Sequence, residues 1–78
     1  MTDARYLPSP RLKHKPLTAK QLQLVELLAS GLIGKEIAPI LGVNYDTVWR
    51  RVRYLRAKLD ALNDVHLVAK CLRAGVIA

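Results

Sequence analysis

Residues 34–55 read GKEIAPILGVNYDTVWRRVRYL, and the fold turns on what this stretch can do. Asn44 is a good N-cap, because its side-chain oxygen can accept a backbone N–H from the first turn of a following helix. Val43 and Val48 stand at the two positions of a hydrophobic staple around that cap. From Tyr45 to about Leu59, at 100° per residue, Val48, Val52, Leu55 and Leu59 fall in one narrow stripe that must face a core. Asp46, Trp49, Arg50 and Arg53 point the opposite way. Thr47, Arg51, Tyr54 and Lys58 line one flank, and Tyr45 and Arg56 the other. The helix before it spans about Gly34 to Leu41 and contains Pro39, which lacks an N–H and predicts a bend or an early stop. Two helices joined by a turn of about four residues cross steeply only if the side chain at their closest approach is small. Ala38 is that residue and Gly42 makes the turn, while Ile37, Leu41, Val43 and Val48 fill the wedge. This spacing is the helix-turn-helix pattern, whose second helix enters the major groove of duplex DNA.

Working outward, Thr18 and Gln21 form a capping box with Leu17 and Leu22 as its staple. The first helix runs to about Ser30, where Gly31 supplies a left-handed terminator. Leu24, Val25, Leu27 and Leu28 give it a broad apolar face. Asp64 reads as the cap of a fourth helix that ends at Gly75. That helix has two apolar faces, one of Val65, Val68, Ala69 and Leu72, the other of Leu67, Cys71 and Ala74. One face suffices for packing on the domain, so the other needs a partner. Leu67, Cys71 and Ala74 are assigned to a dimer seam, since small residues at 71 and 74 let two helices approach closely. The competing reading puts Leu67 in the domain's own core. Residues 1–16 read as a basic arm or a frayed terminus: Pro8, Pro10 and Pro16 discourage a helix, and Arg5, Arg11, Lys13, His14 and Lys15 carry charge. The chain thus divides into that arm and an all-α domain over 17–78.

With 78 residues there is room for one domain, and a core this small gains from burying surface in a dimer. Half the residues are apolar, the mark of a globular chain. The formal net charge of +7 favours a polyanionic partner, against the plainer reading of a solubility charge. Cys71 is the only cysteine and excludes an internal disulfide. No apolar run approaches the roughly 20 residues that span a bilayer, and the N-terminus has no signal-peptide pattern. The expected location is the cytoplasm, in association with the nucleoid, with no membrane partner. His14, His66 and Cys71 are too scattered for a metal site. No Gly-rich phosphate loop and no nucleophile with a positioned base is present. Neither an enzyme nor a cofactor is expected.

The outward face of the third helix carries the chemistry. Arg50 and Arg53 lie one turn apart, and Arg donates two hydrogen bonds to O6 and N7 of guanine. Trp49 either packs on a thymine methyl or a sugar edge, or folds back over the domain. Trp49, Arg50 and Arg53 are therefore the candidate base contacts. Lys35, Thr47, Arg51, Arg56 and Lys58 are the candidate phosphate contacts.

Leu17-Thr18, Leu27-Leu28-Ala29-Ser30-Gly31, Lys35-Glu36-Ile37-Ala38, Leu41-Gly42-Val43, Thr47-Val48, Lys58-Leu59 and Leu72-Arg73-Ala74-Gly75 together resemble the LuxR-type (GerE-like) DNA-binding domain, over about residues 17–77. The resemblance implies a four-helix fold, dimeric binding to inverted-repeat promoter sites, and dimer contacts through the last helix. It also implies base contacts just after the Thr-Val pair, here Trp49, Arg50 and Arg53. Trp49 stands where a lysine is common and Arg51 where a histidine is common, while Ile33-Gly34 replaces the polar pair that usually caps the second helix. No receiver or sensor domain accompanies the match, so the chain reads as a stand-alone member. The leading functional expectation is a sequence-specific transcriptional regulator. The alternative is a small module that pairs with another LuxR-type regulator and inhibits it. RNA polymerase is a further partner to consider.

Overall fold

The computed structural model describes residues 17–78, and the arm assigned to residues 1–16 lies outside them. The described residues form four helices and no strand: α1 (Ala19–Ala29), α2 (Gly34–Leu41), α3 (Tyr45–Leu59) and α4 (Asp64–Arg73). The all-α, four-helix expectation is met.

Each start has a chemical reason. The Thr18 hydroxyl accepts the Gln21 N–H at 3.1 Å, and the Gln21 side chain accepts the Thr18 N–H at 2.9 Å, which satisfies two donors that the helix itself cannot. The Asn44 side chain accepts the Thr47 N–H at 2.8 Å. Helix α2 starts at Ile33, which has no side-chain acceptor, and Glu36 compensates by accepting the Ile33 N–H at 2.9 Å. Helix α4 corrects an expectation. Its cap is Asn63, whose side chain accepts the His66 N–H at 2.8 Å, and not Asp64. Asp64 instead occupies the first helical position, where its charge faces the positive end of the helix dipole.

All four helices stop in the same way, with a residue just past the end folding back onto a carbonyl five residues earlier. The bonds are Leu32 N to Leu27 O, Val43 N to Ala38 O, Ala61 N to Arg56 O and Val76 N to Cys71 O. The left-handed residue is glycine at 31, 42 and 75, but at the end of α3 it is Asp60, with φ of 61°. Pro39 does not stop α2, which continues to Leu41. In an eight-residue helix the missing Pro39 N–H costs one bond, and the side chain points to solvent.

Helix α3 is the hub. It packs against α2, α4 and α1, and α1 packs on α4. Its stripe of Val48, Val52, Leu55 and Leu59 is buried, as the periodicity requires. Leu24 and Val25 meet it from α1, Ile37 and Ala38 from α2, Leu67 and Cys71 from α4, and Ile77 from the chain end. No polar or charged residue is buried among the described residues. Fully burying a Leu or Val contributes about 1.5–3 kcal/mol, so this stripe is a large part of what holds the fold.

Candidate nucleic-acid interface

The buried stripe of α3 fixes which side chains face out. Asp46, Arg50, Arg51 and Arg53 are exposed. Among the described residues, Arg50, Arg51, Arg53 and Lys35 have neither a hydrogen bond nor an ion pair. These four exposed cations thus have no counter-charge among the described residues. Such groups lose little by exchanging solvent for phosphate or guanine acceptors. Asp46 sits at the tip of the same face, where it can accept from the amino group of cytosine and repels phosphate.

Trp49 is only 38% exposed. Its ring meets Tyr45 edge-on, with centroids 6.1 Å apart and planes at 86°. Tyr45 in turn lies over Gly34, where a Cβ would come within 2.7 Å of the Tyr45 ring. Glycine at the start of α2 is therefore what lets this aromatic pair settle. Both rings border a groove of about 600 Å³ whose other walls include Leu32, Ile33, Lys35, Val65 and Val68. Trp49 leans toward the domain along one flank of α3 and keeps an exposed edge.

Thr47 uses its backbone N–H on the Asn44 cap, and its half-buried side chain sits on the opposite flank, in a cleft with Lys20, Arg50, Arg51 and Tyr54. Two expected phosphate contacts are committed elsewhere. Arg56 donates from Nη2 to the Leu62 carbonyl at 2.8 Å, and its Nη1 lies 3.9 Å from the Asp64 carboxylate. Half-buried Lys58 donates from Nζ to Gln21 Oε1 at 3.0 Å, the same oxygen that closes the α1 capping box. Both bonds tie elements of the scaffold together. His66 and Lys70 complete the turn between α3 and α4. His66 Nδ1 accepts the Leu62 N–H at 2.9 Å, and Lys70 Nζ donates to the Leu59 carbonyl at 2.7 Å, at the negative end of α3.

The dimer assignment on α4 is also corrected. Leu67 and Cys71 are fully buried in the domain's own core, and Ala74 packs against that core. The face left in water is the other one, with Val65 79% and Leu72 46% exposed. Burial raises the Cys71 thiol pKa above its ordinary value, so the thiol stays protonated. Among the described residues no group of His, Cys, Asp and Glu could hold a metal ion, and no helix is long and apolar enough to cross a membrane.

Sequence reasoning passed over Lys20. Nothing local to α1 signals that the second residue of that helix borders α3, and only the packing of the two helices brings it there.

Comparison with known proteins agrees with this geometry. The model of the GerE family, described as bacterial regulatory proteins of the luxR family, matches residues 15–71, which takes in α1 to α3 and most of α4. The chain belongs to the luxR family. It is 40% identical over 58 residues to the transcriptional regulatory protein UhpA of Escherichia coli (strain K12). That match covers 74% of this chain and 30% of UhpA, so the chain spans under a third of the relative's length. No solved structure matches it significantly. The expected helix-turn-helix membership is thereby shown.

Proposed function

We propose that this luxR-family domain is a sequence-specific DNA-binding transcriptional regulator that inserts α3 in the major groove. The observation that carries the reading is the outward face of α3. A rigid helix, capped at both ends, presents Arg50 and Arg53 unpaired at its centre. Lys35 stands on one flank and Thr47 with Arg51 on the other. Arg50 and Arg53 are the base-reading residues, with the exposed edge of Trp49 against a thymine methyl or a sugar. Lys35, Thr47 and Arg51 are the phosphate contacts.

The domain binds inverted repeats as a dimer, with the α4 face of exposed Val65 and Leu72, beside half-buried Val68, as the seam. Val65 and Leu72 are costly in water and stand on the helix that the luxR resemblance assigns to pairing. The same two residues support a second reading, in which that face pairs with another luxR-type regulator and withholds it from DNA.

A salt titration on a duplex selected from a random pool separates the two readings. A regulator making several phosphate contacts loses affinity steeply, with a log–log slope of about −0.9 per phosphate neutralised. A pure pairing module shows no selected sequence and no such slope.

A further inference from the structure

The two flanks of α3 are built differently. On the flank of Tyr45 and Trp49, the groove of about 600 Å³ is largely apolar and carries Lys35 and the acid Asp64 on its walls. On the opposite flank, between α1 and α3, lies a cleft of about 370 Å³ with Lys20, Arg50, Arg51, Thr47 and Tyr54 around it and Leu24 at its floor. No acidic residue borders this second cleft. A smaller hollow of about 140 Å³ continues it past Lys20 and Arg51 toward Leu41 and Val43. Lys20 and Arg51 are the two residues common to both hollows. Neither has a partner among the described residues. Tyr54 is 60% exposed and borders the cleft.

A cationic cleft with an apolar floor and an exposed ring at its rim suits one link of a sugar–phosphate backbone. The phosphate oxygens accept from the ammonium and guanidinium, and the deoxyribose lies against the ring. The major groove is about 12 Å wide and has one strand along each wall. A helix lying in it turns its two flanks toward different strands. Lys35 stands on the Trp49 flank of α3, and Lys20 on the Arg51 flank.

We infer that Lys20, with Arg51 and Tyr54, forms a second backbone clamp, and that it grips the strand opposite to the one that Lys35 meets. The clamp rests on the proposed insertion of α3 into duplex DNA. Its effect is to straddle the groove, so that α3 is held from both walls and cannot roll about its axis. That fixes which base pairs Arg50 and Arg53 reach.

The test uses a selected duplex in which single neutral methylphosphonate links are walked along each strand. The wild-type chain should lose affinity at sensitive links on both strands of a half-site. Lys20→Ala should erase the sensitivity on one strand, and Lys35→Ala that on the other. Each should flatten the salt slope by about 0.9, while Lys20→Arg keeps both properties. Lys20 is exposed, so the fold should survive, and circular dichroism checks it; Lys20→Gln serves as a second neutral variant. A wild-type slope and link pattern in K20A and K20Q would overturn the clamp while leaving the DNA-binding reading intact. Erasure of the same strand's sensitivity by both lysine variants would overturn the straddling arrangement. Failure of the wild-type chain to bind any duplex would take down the parent reading and the clamp with it.

Discussion

Helices α3 and α4 begin alike and end in opposite roles. Each is capped by an asparagine whose side chain accepts a backbone N–H at 2.8 Å, and each closes in the same fold-back turn. Their outward faces differ. That of α3 is cationic, with Arg50, Arg51 and Arg53 in water, and that of α4 is apolar, with Val65 and Leu72 in water. The contrast shows when a helical pattern identifies its own buried side. In α3 the stripe of Val48, Val52, Leu55 and Leu59 is the one aliphatic row, set among charges and the rings of Tyr45, Trp49 and Tyr54, so burial has one solution. In α4 two apolar stripes compete, and periodicity alone cannot choose between them. The choice is made by neighbours distant in sequence: α1 and α3 meet α4 on the side of Leu67 and Cys71.

Charging the two faces of α4 in turn should have opposite results. Leu67→Glu should unfold the domain. It removes a fully buried side chain and places a carboxylate in the core cluster that includes Leu24, Leu55 and Leu59, a loss of ~5 kcal/mol or more against a total stability on the order of 5–10 kcal/mol. Val65→Glu should leave stability within about 0.5 kcal/mol of wild type, because the residue is in water and an acid suits the first turn of a helix. It should nonetheless abolish the dimer. Circular dichroism with sedimentation reads both variants. A folded L67E, or a V65E that still pairs, would reverse the assignment of the two faces.

The same comparison separates the cations of α3 from one another. Arg53→Ala should weaken binding to a selected site by ~1–3 kcal/mol and relax preference at one base pair, with thermal stability unchanged. Lys58→Met should do the reverse. It loses the bond to Gln21 and destabilises the domain by about 1 kcal/mol, with the salt slope of DNA binding intact. Binding curves and melting curves on the two variants check this, and a flattened slope in K58M would return Lys58 to the phosphate set.

These contrasts mark how far the sequence could be read. The caps at Thr18 and Asn44, the α3 stripe and the small residue at Ala38 were legible because each is a local pattern with one physical solution. The partners of Arg56 and Lys58 were not. A long cation on a helix flank looks the same whether it reaches solvent, a carbonyl such as that of Leu62, or a side chain 37 residues away such as Gln21. Lys20 was missed for the converse reason, since its value lies in where α1 packs. Asp and Asn both serve as caps, and only the extended backbone of Asn63 decides for it over adjacent Asp64.

The smallest expected effect lies between two adjacent residues of α4, Cys71 on the buried face and Leu72 on the exposed one. Burial raises the Cys71 pKa in the folded state, because a thiolate there would lose its hydration. The unfolded chain therefore releases this proton at a lower pH than the folded one. Above the ordinary thiol pKa of about 8.5, the unfolded state binds fewer protons at this site, and stability must fall as pH rises. Below that pH both states are protonated and the site contributes no slope. Other groups titrate in the same alkaline range, so the measurement is a difference between the wild-type chain and Cys71→Ala. The stability advantage of wild type over C71A should be constant from pH 6 to 8 and shrink at pH 9 to 10. Iodoacetamide on the chain diluted to a monomer adds a kinetic version of the comparison: Cys71 should alkylate only as fast as the domain opens, whereas a thiol placed next door in Leu72→Cys, on the C71A background, should react at the rate of a free cysteine. Equal alkylation rates at the two positions would mean that α4 does not hold one face in and one face out.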